Sequence, residues 1–283
     1  MVLRSYRRLS GRESSAKAAR LKVAVLGLVA IILLTTFATL WWKGTSLAVR
    51  TDPASLCPTN APPRSVTVLI LDVSDHFSDA QILAIRHVVD RVRSSIPRFG
   101  LVEVYTVQRL GHGISTPVAH LCSPGDGAGL NALYQNPGLA KKRWQQFSDS
   151  LDEAFGTLMG EAASPVSPIF ETIQAAALRT LNKPELDSAS KQLIIISDLI
   201  QNVPEGLNMY EGLPSFVQFS RSSYFLKVRA QLPNVSVKAF YLARTEASVQ
   251  GAAHIAFWEQ FFAAEGATLE SVQKIYGDDG ELR

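Results

Sequence analysis

The 283-residue sequence has only two cysteines, Cys57 and Cys122, and five scattered histidines. None stand at paired zinc-ligand spacing, so the pattern excludes a zinc site. There is no Gly-x-Ser-x-Gly run and no usable Ser-His-Asp set, which removes the common hydrolase arrangement. No internal repeat is present. Net positive charge is also lacking from most of the chain. In residues 1–22, Arg4, Arg7, Arg8, Arg12, Lys17, Arg20 and Lys22 stand against Glu13 alone. That segment carries +6 of a formal +3 overall, so the remainder carries −3 and gives no argument for nucleic-acid binding.

One long run has neither charge nor proline. Val23 to Trp42 is 20 residues, about 30 Å as a helix and enough to cross a bilayer. Trp41 and Trp42 close it at interface depth, and Lys43 follows. The competing reading is a cleaved signal peptide, with Ser46 and Ala48 small enough for cleavage. Against it, the charged region is too long and the apolar run exceeds the usual stretch of about 7–15 residues. No cysteine ends the run, which argues against a lipoprotein. The expected organisation is a basic cytoplasmic tail over 1–22, a transmembrane helix over 23–42, a Pro/Ser/Thr-rich linker over 43–64, and one domain over 65–283. The charge asymmetry places the N-terminus in the cytoplasm and the domain outside it, periplasmic if the membrane is an inner one. Both cysteines then face an oxidising compartment, and a Cys57–Cys122 disulfide is favoured over two buried thiols.

The domain is organised around Val66 to Asp79. Val66 to Leu71 is a fully apolar or β-branched run, a strand buried on both faces. Asp72, Ser74 and Asp75 follow, and then Ser78 with Gln81 three residues on forms a capping box. Residues 79–95 have an amphipathic helical period. Leu101 to Val107 is a second strand, in which Glu103 predicts an end or face near solvent. Residues 108–137 read as a long loop, pinned by Cys122. Residues 138–160 repeat Trp144, Phe147, Leu151, Phe155 and Leu158 at helical spacing, as core. Ser167 reads as an N-cap before Pro168, with helix over 169–181. Lys191 to Ser197 is another buried strand and ends at Asp198. Residues 203–232 read as loop plus helix. Val235 to Leu242 is a strand and 252–265 a helix, with His254 on its surface. Val272 to Tyr276 forms a short last strand. Asn234-Val-Ser236 has the form of a glycosylation acceptor. The expected fold class is α/β, a doubly wound, mostly parallel sheet preceded by one transmembrane helix.

Oxygen-bearing residues recur at strand ends and a helix start: Asp72, Ser74 and Asp75, then Ser167, then Asp198. Without cysteine or paired histidine, such a set suits a hard cation, Mg²⁺ or Mn²⁺. Asp72-Val-Ser74, Ser167-Pro168-Ile and Ile196-Ser197-Asp198, in this order, resemble a von Willebrand factor A domain over roughly residues 64–280. That family carries a metal-ion-dependent adhesion site built on Asp-x-Ser-x-Ser, a distant Thr and a later Asp. The resemblance implies that Asp72, Ser74, Ser167 and Asp198 are metal ligands, with Ser167 where the family has Thr. The third motif position is His76 instead of Ser, and Asp75 beside it is the replacement oxygen ligand. It also implies a protein partner that completes the ion's shell with an acidic residue.

The leading expectation is a membrane-anchored protein-binding module, non-enzymatic, serving partner recognition or assembly of an envelope complex. One alternative is a metal-dependent phosphatase, with Asp72 as nucleophile and Ser197 binding phosphate. It lacks the acid two positions after Asp72, and its acidic pair would be Asp278-Asp279 near the chain end. Another is a scaffold of the same fold without metal.

Overall fold

The computed structural model describes residues 3–46, 49–107, 115–128, 136–160, 164–244 and 247–277. Two units separate between Arg50 and Thr51.

The first unit is one helix, α1 (Leu3–Ser46). Its Ala19–Trp42 stretch, 24 residues with a mean hydropathy of 2.6, is long and apolar enough to cross a membrane. Thr35, Thr36 and Thr39 lie inside this stretch. Their hydroxyls donate to backbone carbonyls of Ile32, Leu33 and Thr36, so no hydroxyl needs an outside partner. The helix runs beyond the apolar stretch at both ends, into the basic tail and through Ser46.

In the second unit, six strands form one sheet. They are β1 (Ser65–Asp72), β2 (Leu101–Val107), β3 (Ala119–Cys122), β4 (Ser190–Ser197), β5 (Val235–Leu242) and β6 (Thr268–Ile275). The order is β3-β2-β1-β4-β5-β6. All pairs are parallel except β2 with β3. The chain therefore winds outward from β1 in one direction, returns to β4, and winds outward in the other. The reversal falls between β1 and β4, so their carboxyl ends flank the crevice where doubly wound sheets bind ligands.

Side-chain alternation explains the two cores. Val66, Val68 and Ile70 point to one face, and Leu69 and Leu71 to the other. The second face is covered by α2 (Asp79–Ser95) and α3 (Pro137–Met159), through Ile85, Val88, Phe147 and Leu151. The first is covered by α4 (Ile169–Ala176), α5 (Phe216–Ser220), α6 (Ser223–Val228) and α7 (Ala252–Ala264). Phe170 is central there, with its ring 4.6 Å from Trp258 and 4.7 Å from Phe261. The capping box of Ser78 and Gln81 forms as predicted.

Several expectations are corrected. Glu103 is not near solvent: every residue of β2 is buried. Its carboxylate accepts hydrogen bonds from Tyr105 and Thr180 and pairs with His120 Nδ1. The long loop contains a strand, β3, too short to carry a period. The helix over 169–181 is α4 followed by a π-helical turn, Ala177–Leu181. The last strand starts at Thr268, earlier than its apolar residues suggest. A register shift opposite Val237 and Lys238 leaves Glu270 unpaired, so Leu269 and Val272 recur at three instead of two. Residues 51–64, read as linker, belong to the compact unit: Leu56 is buried in the core, and Cys122 N–H donates to Ser55 O at 2.8 Å. Cys57 and Cys122 form the expected disulfide.

Candidate functional site

The carboxyl ends of β1 and β4 meet at a polar network centred on Asp72, which is 3% exposed. Its Oδ1 accepts from the Ser74 N–H at 3.1 Å and the Ser74 hydroxyl at 2.6 Å. Its Oδ2 accepts from the Ser197 hydroxyl at 2.6 Å and the Ser167 hydroxyl at 3.2 Å. A carboxylate has about four lone-pair directions, and all four are in use. Burial pushes the Asp72 pKa up, against the pull of Ser197, Ser74 and Ser167.

Ser167 reaches Asp72 because its backbone is held by a two-way bridge to Asn202: Ser167 N donates to Asn202 O at 2.9 Å, and Asn202 N donates back at 3.0 Å. Its hydroxyl is therefore not the cap of α4, as the sequence predicted. The N-cap is Pro168, without a side-chain bond. The Phe170 N–H at the start of α4 is satisfied instead by Gln201 Oε1 at 3.1 Å.

Asp198 is 2% exposed and sits in a turn fixed by three contacts. Leu199 adopts the left-handed region at φ 58°, uncommon for a side chain of its size. Its N–H donates to Ser197 Oγ at 2.8 Å. Its carbonyl accepts from Trp258 Nε1 at 2.9 Å and lies 2.9 Å from His254 Nε2. His254 is thus buried under the turn, not on the helix surface. Its other ring nitrogen lies 2.6 Å from the Tyr241 hydroxyl. That pairing assigns the proton to Nε2 and leaves Nδ1 as acceptor.

Asp198 Oδ1 accepts from Ile200 N–H at 2.9 Å, and Oδ2 accepts from Arg244 Nε at 3.3 Å. Burial, and then the charge of Asp72, push its pKa up to about 7. Arg244 continues outward. Its Nη1 donates to His76 O at 2.8 Å, and its Nη2 lies 3.6 Å from Asp75 Oδ2. Asp75 therefore leaves the Asp72 cluster and pairs with Arg244 at the rim. The His76 side chain is exposed. Tyr210, half-exposed beside these acids, has its phenol pushed up to about 12 by burial and by Asp198.

Of the sequence-predicted residues, Asp72, Ser74 and Ser167 are brought into direct contact, Asp198 stands adjacent, and Asp75 is separated. Sequence reasoning missed Ser197 as an Asp72 partner, although it stands beside Asp198 in the strand-end motif. It also missed Arg244, Gln250 and the Leu199 turn.

The donor set fits a divalent ion only in part. Oxygens and buried acids favour a hard cation. Against this, both Asp72 oxygens are filled, the third motif position offers only a backbone carbonyl, and Arg244 already neutralises Asp198 and Asp75. Among the described residues, no group of three or more His, Cys, Asp or Glu is arranged to hold a metal ion. With Arg244 in place, the residues do not fit the ion.

The sheet order, with its reversal between β1 and β4, and the placement of Asp72, Ser74, Ser167 and Asp198 at that reversal are von Willebrand factor A-like. Among solved structures, the chain is similar to the VWA domain of SpRpn10, at 9% identity and a TM-score of 0.41, over 76% of this chain and 89% of that one. It is similar to the conserved hypothetical protein BatB from Bacteroides thetaiotaomicron, at 11% identity and a TM-score of 0.36, over 76% and 92%. It is also similar to an aerotolerance-related membrane protein from Bacteroides fragilis NCTC 9343, at 12% identity and a TM-score of 0.33, over the same 76% and 92%. No family model and no curated protein matches the sequence.

Proposed function

We propose that this protein is a single-pass membrane protein whose extracytoplasmic domain binds a protein partner at the carboxyl edge of its sheet. It serves recognition or assembly of an envelope complex. The observation that carries the reading is the construction of that edge. A buried, internally bonded network around Asp72 supports a rim of Asp75, His76, Arg244 and Tyr210, which face solvent to differing degrees. Such a rigid base under exposed tyrosine and charged groups is what a specific contact patch needs.

Binding is favoured over catalysis. Asp72 is buried and each of its oxygens accepts two hydrogen bonds, so neither oxygen is presented to a substrate for attack. Ser197 Oγ is engaged on both sides, by Asp72 and by Leu199 N–H, so it is not free to hold phosphate. The acidic pair of the phosphatase reading, Asp278-Asp279, lies outside the described residues. Placement outside the cytoplasm is supported by the disulfide and by the basic residues that precede the apolar helix without a matching cluster after it.

The test is photo-crosslinking in native membranes with the full chain. A crosslinking residue replaces His76 or Tyr210 at the carboxyl edge, and Arg91 or Glu270 elsewhere. Discrete protein adducts from the first pair, absent from the second, are expected. Adducts from Arg91 or Glu270 alone would place the contact surface elsewhere and sink the reading.

A further inference from the structure

We propose that the Arg244 guanidinium is the resident cation of this edge and takes the place that a divalent ion would fill. The argument begins with what a cation must do here. Three chain segments converge: the loop after β1, the turn after β4 and the end of β5. Two of them bring acids, Asp75 and Asp198. Asp198 is buried and Asp75 lies half-exposed at the rim. Like charges brought to one cation-sized space repel, and a positive group ties these segments together. Arg244 does so with all three of its nitrogens. Nε bonds Asp198, Nη1 bonds the His76 carbonyl and Nη2 pairs with Asp75.

The arginine is built in. Its side chain is 19% exposed. Its own N–H donates to Gln250 Oε1 at 2.7 Å. The Gln250 amide then donates to Asp198 O at 3.1 Å and to Leu242 O at 2.9 Å, which fixes the β5 end against the β4 turn. A guanidinium stays charged at any accessible pH, and its planar fork spreads donors over three separate nitrogens, whereas an ammonium concentrates its donors on one. An incoming Mg²⁺ would meet this fixed charge and would have to displace a bond to Asp198.

The break at His76 then has a physical account. A hydroxyl at the third motif position serves an ion. With an arginine in the ion's place, what is needed from that position is an acceptor, and the His76 backbone carbonyl supplies it. The side chain is released to the surface.

This inference concerns the same edge as the proposed function, but its test does not involve a partner, so either can fail alone. Thermal unfolding of the full chain in detergent is followed by tryptophan fluorescence, in chelator and in millimolar Mg²⁺, Mn²⁺ or Ca²⁺. For the native sequence, the midpoint is expected to move by less than about 1 °C between these conditions. Arg244→Gln is expected to lower the midpoint in chelator, and added divalent ion is expected to recover several degrees of that loss. Arg244→Lys serves if the glutamine variant does not fold. It keeps one charge but not the three bonds, and a smaller drop with partial ion recovery is expected. A divalent-dependent rise in the native midpoint overturns the proposal. So does a folded Arg244 variant that ignores every ion, because the acids would then have no use for a cation.

Discussion

His254 carries a burden that its sequence context hides. It sits between Tyr241 and the Leu199 carbonyl, under the turn that presents Asp198. Burial holds its pKa down at about 4, below the ordinary 6.5. The unfolded chain therefore takes up a proton between those two values that the native imidazole does not. Stability from this residue is complete above pH 6.5 and is lost as pH falls toward 4, by roughly 3 kcal/mol over the window. Asp198 acts with the opposite sign. Its raised pKa means that the native state keeps its proton as pH falls below about 7, which favours folding on the acid side. The two must be separated by difference. Urea unfolding from pH 7 to 4.5, run on the native chain and on His254→Gln, is expected to show a steeper acid loss in the native chain. Parallel pH profiles would mean that the imidazole titrates normally and is not locked under the turn.

At the scale of elements, the π-helical turn after α4 has a specific task. It brings Thr180 to the buried Glu103 carboxylate, and the Thr180 hydroxyl also lies 2.8 Å from the Tyr105 hydroxyl. A regular helical continuation would place this residue differently, and π turns tend to mark such constraints. Thr180→Val keeps the shape and removes the hydroxyl. It is expected to cost about 1–3 kcal/mol, the penalty for leaving a buried acceptor short of a donor. Equilibrium urea unfolding measures it, and an unchanged midpoint would mean that His120 and Tyr105 satisfy Glu103 alone. Elements differ in how plainly they are written in the sequence. β1 and β4 are legible because burial on both faces demands an uninterrupted apolar run, and β5 because its buried residues alternate with part-exposed ones. β3 and β6 are edge strands, half exposed, and the irregularity at Glu270 removes the period of two. α5 and α6 are too short for a helical period, yet Ser215 with Gln218 forms a capping box that was there to be read. In the site, Asp72, Ser74, Ser167 and Asp198 are visible because strand-end acids and hydroxyls follow apolar runs. Arg244 and His254 are not, because their partners are 46 and 55 residues away in the chain and only the folded sheet brings them together.

For the whole domain, the disulfide decides where the compact unit begins. Thr51 to Arg64 is polar and proline-bearing, the composition of a spacer, yet it is bound at several points. Gln146 Nε2 donates to Pro53 O at 2.8 Å, Cys122 N–H donates to Ser55 O at 2.8 Å, and Ser190 N–H donates to Arg64 O at 3.0 Å. Cys57 to Cys122 then closes a chain segment of sequence separation 65 around β1, α2 and β2. Closing a loop of that length in the unfolded ensemble stabilises the native state by about 4 kcal/mol in the chain-entropy account. The local bonds and the buried Leu56 side chain contribute on the same order, since each hydrogen bond nets about 1 kcal/mol and Leu56 about 1.5–3, but they are present with or without the bridge and do not make up for its loss. The paired Cys57→Ser and Cys122→Ser variant, and the native chain under reductant, are therefore expected to lose 2–4 kcal/mol in urea, about the usual range for such bridges. Protease cleavage should also appear first within 51–64, since that segment is then held only by a few hydrogen bonds and the one buried Leu56 side chain. An unchanged midpoint with an uncut 51–64 segment would show that the non-covalent contacts suffice, and the sequence's reading of this stretch as a free spacer would be wrong for reasons unrelated to the bridge.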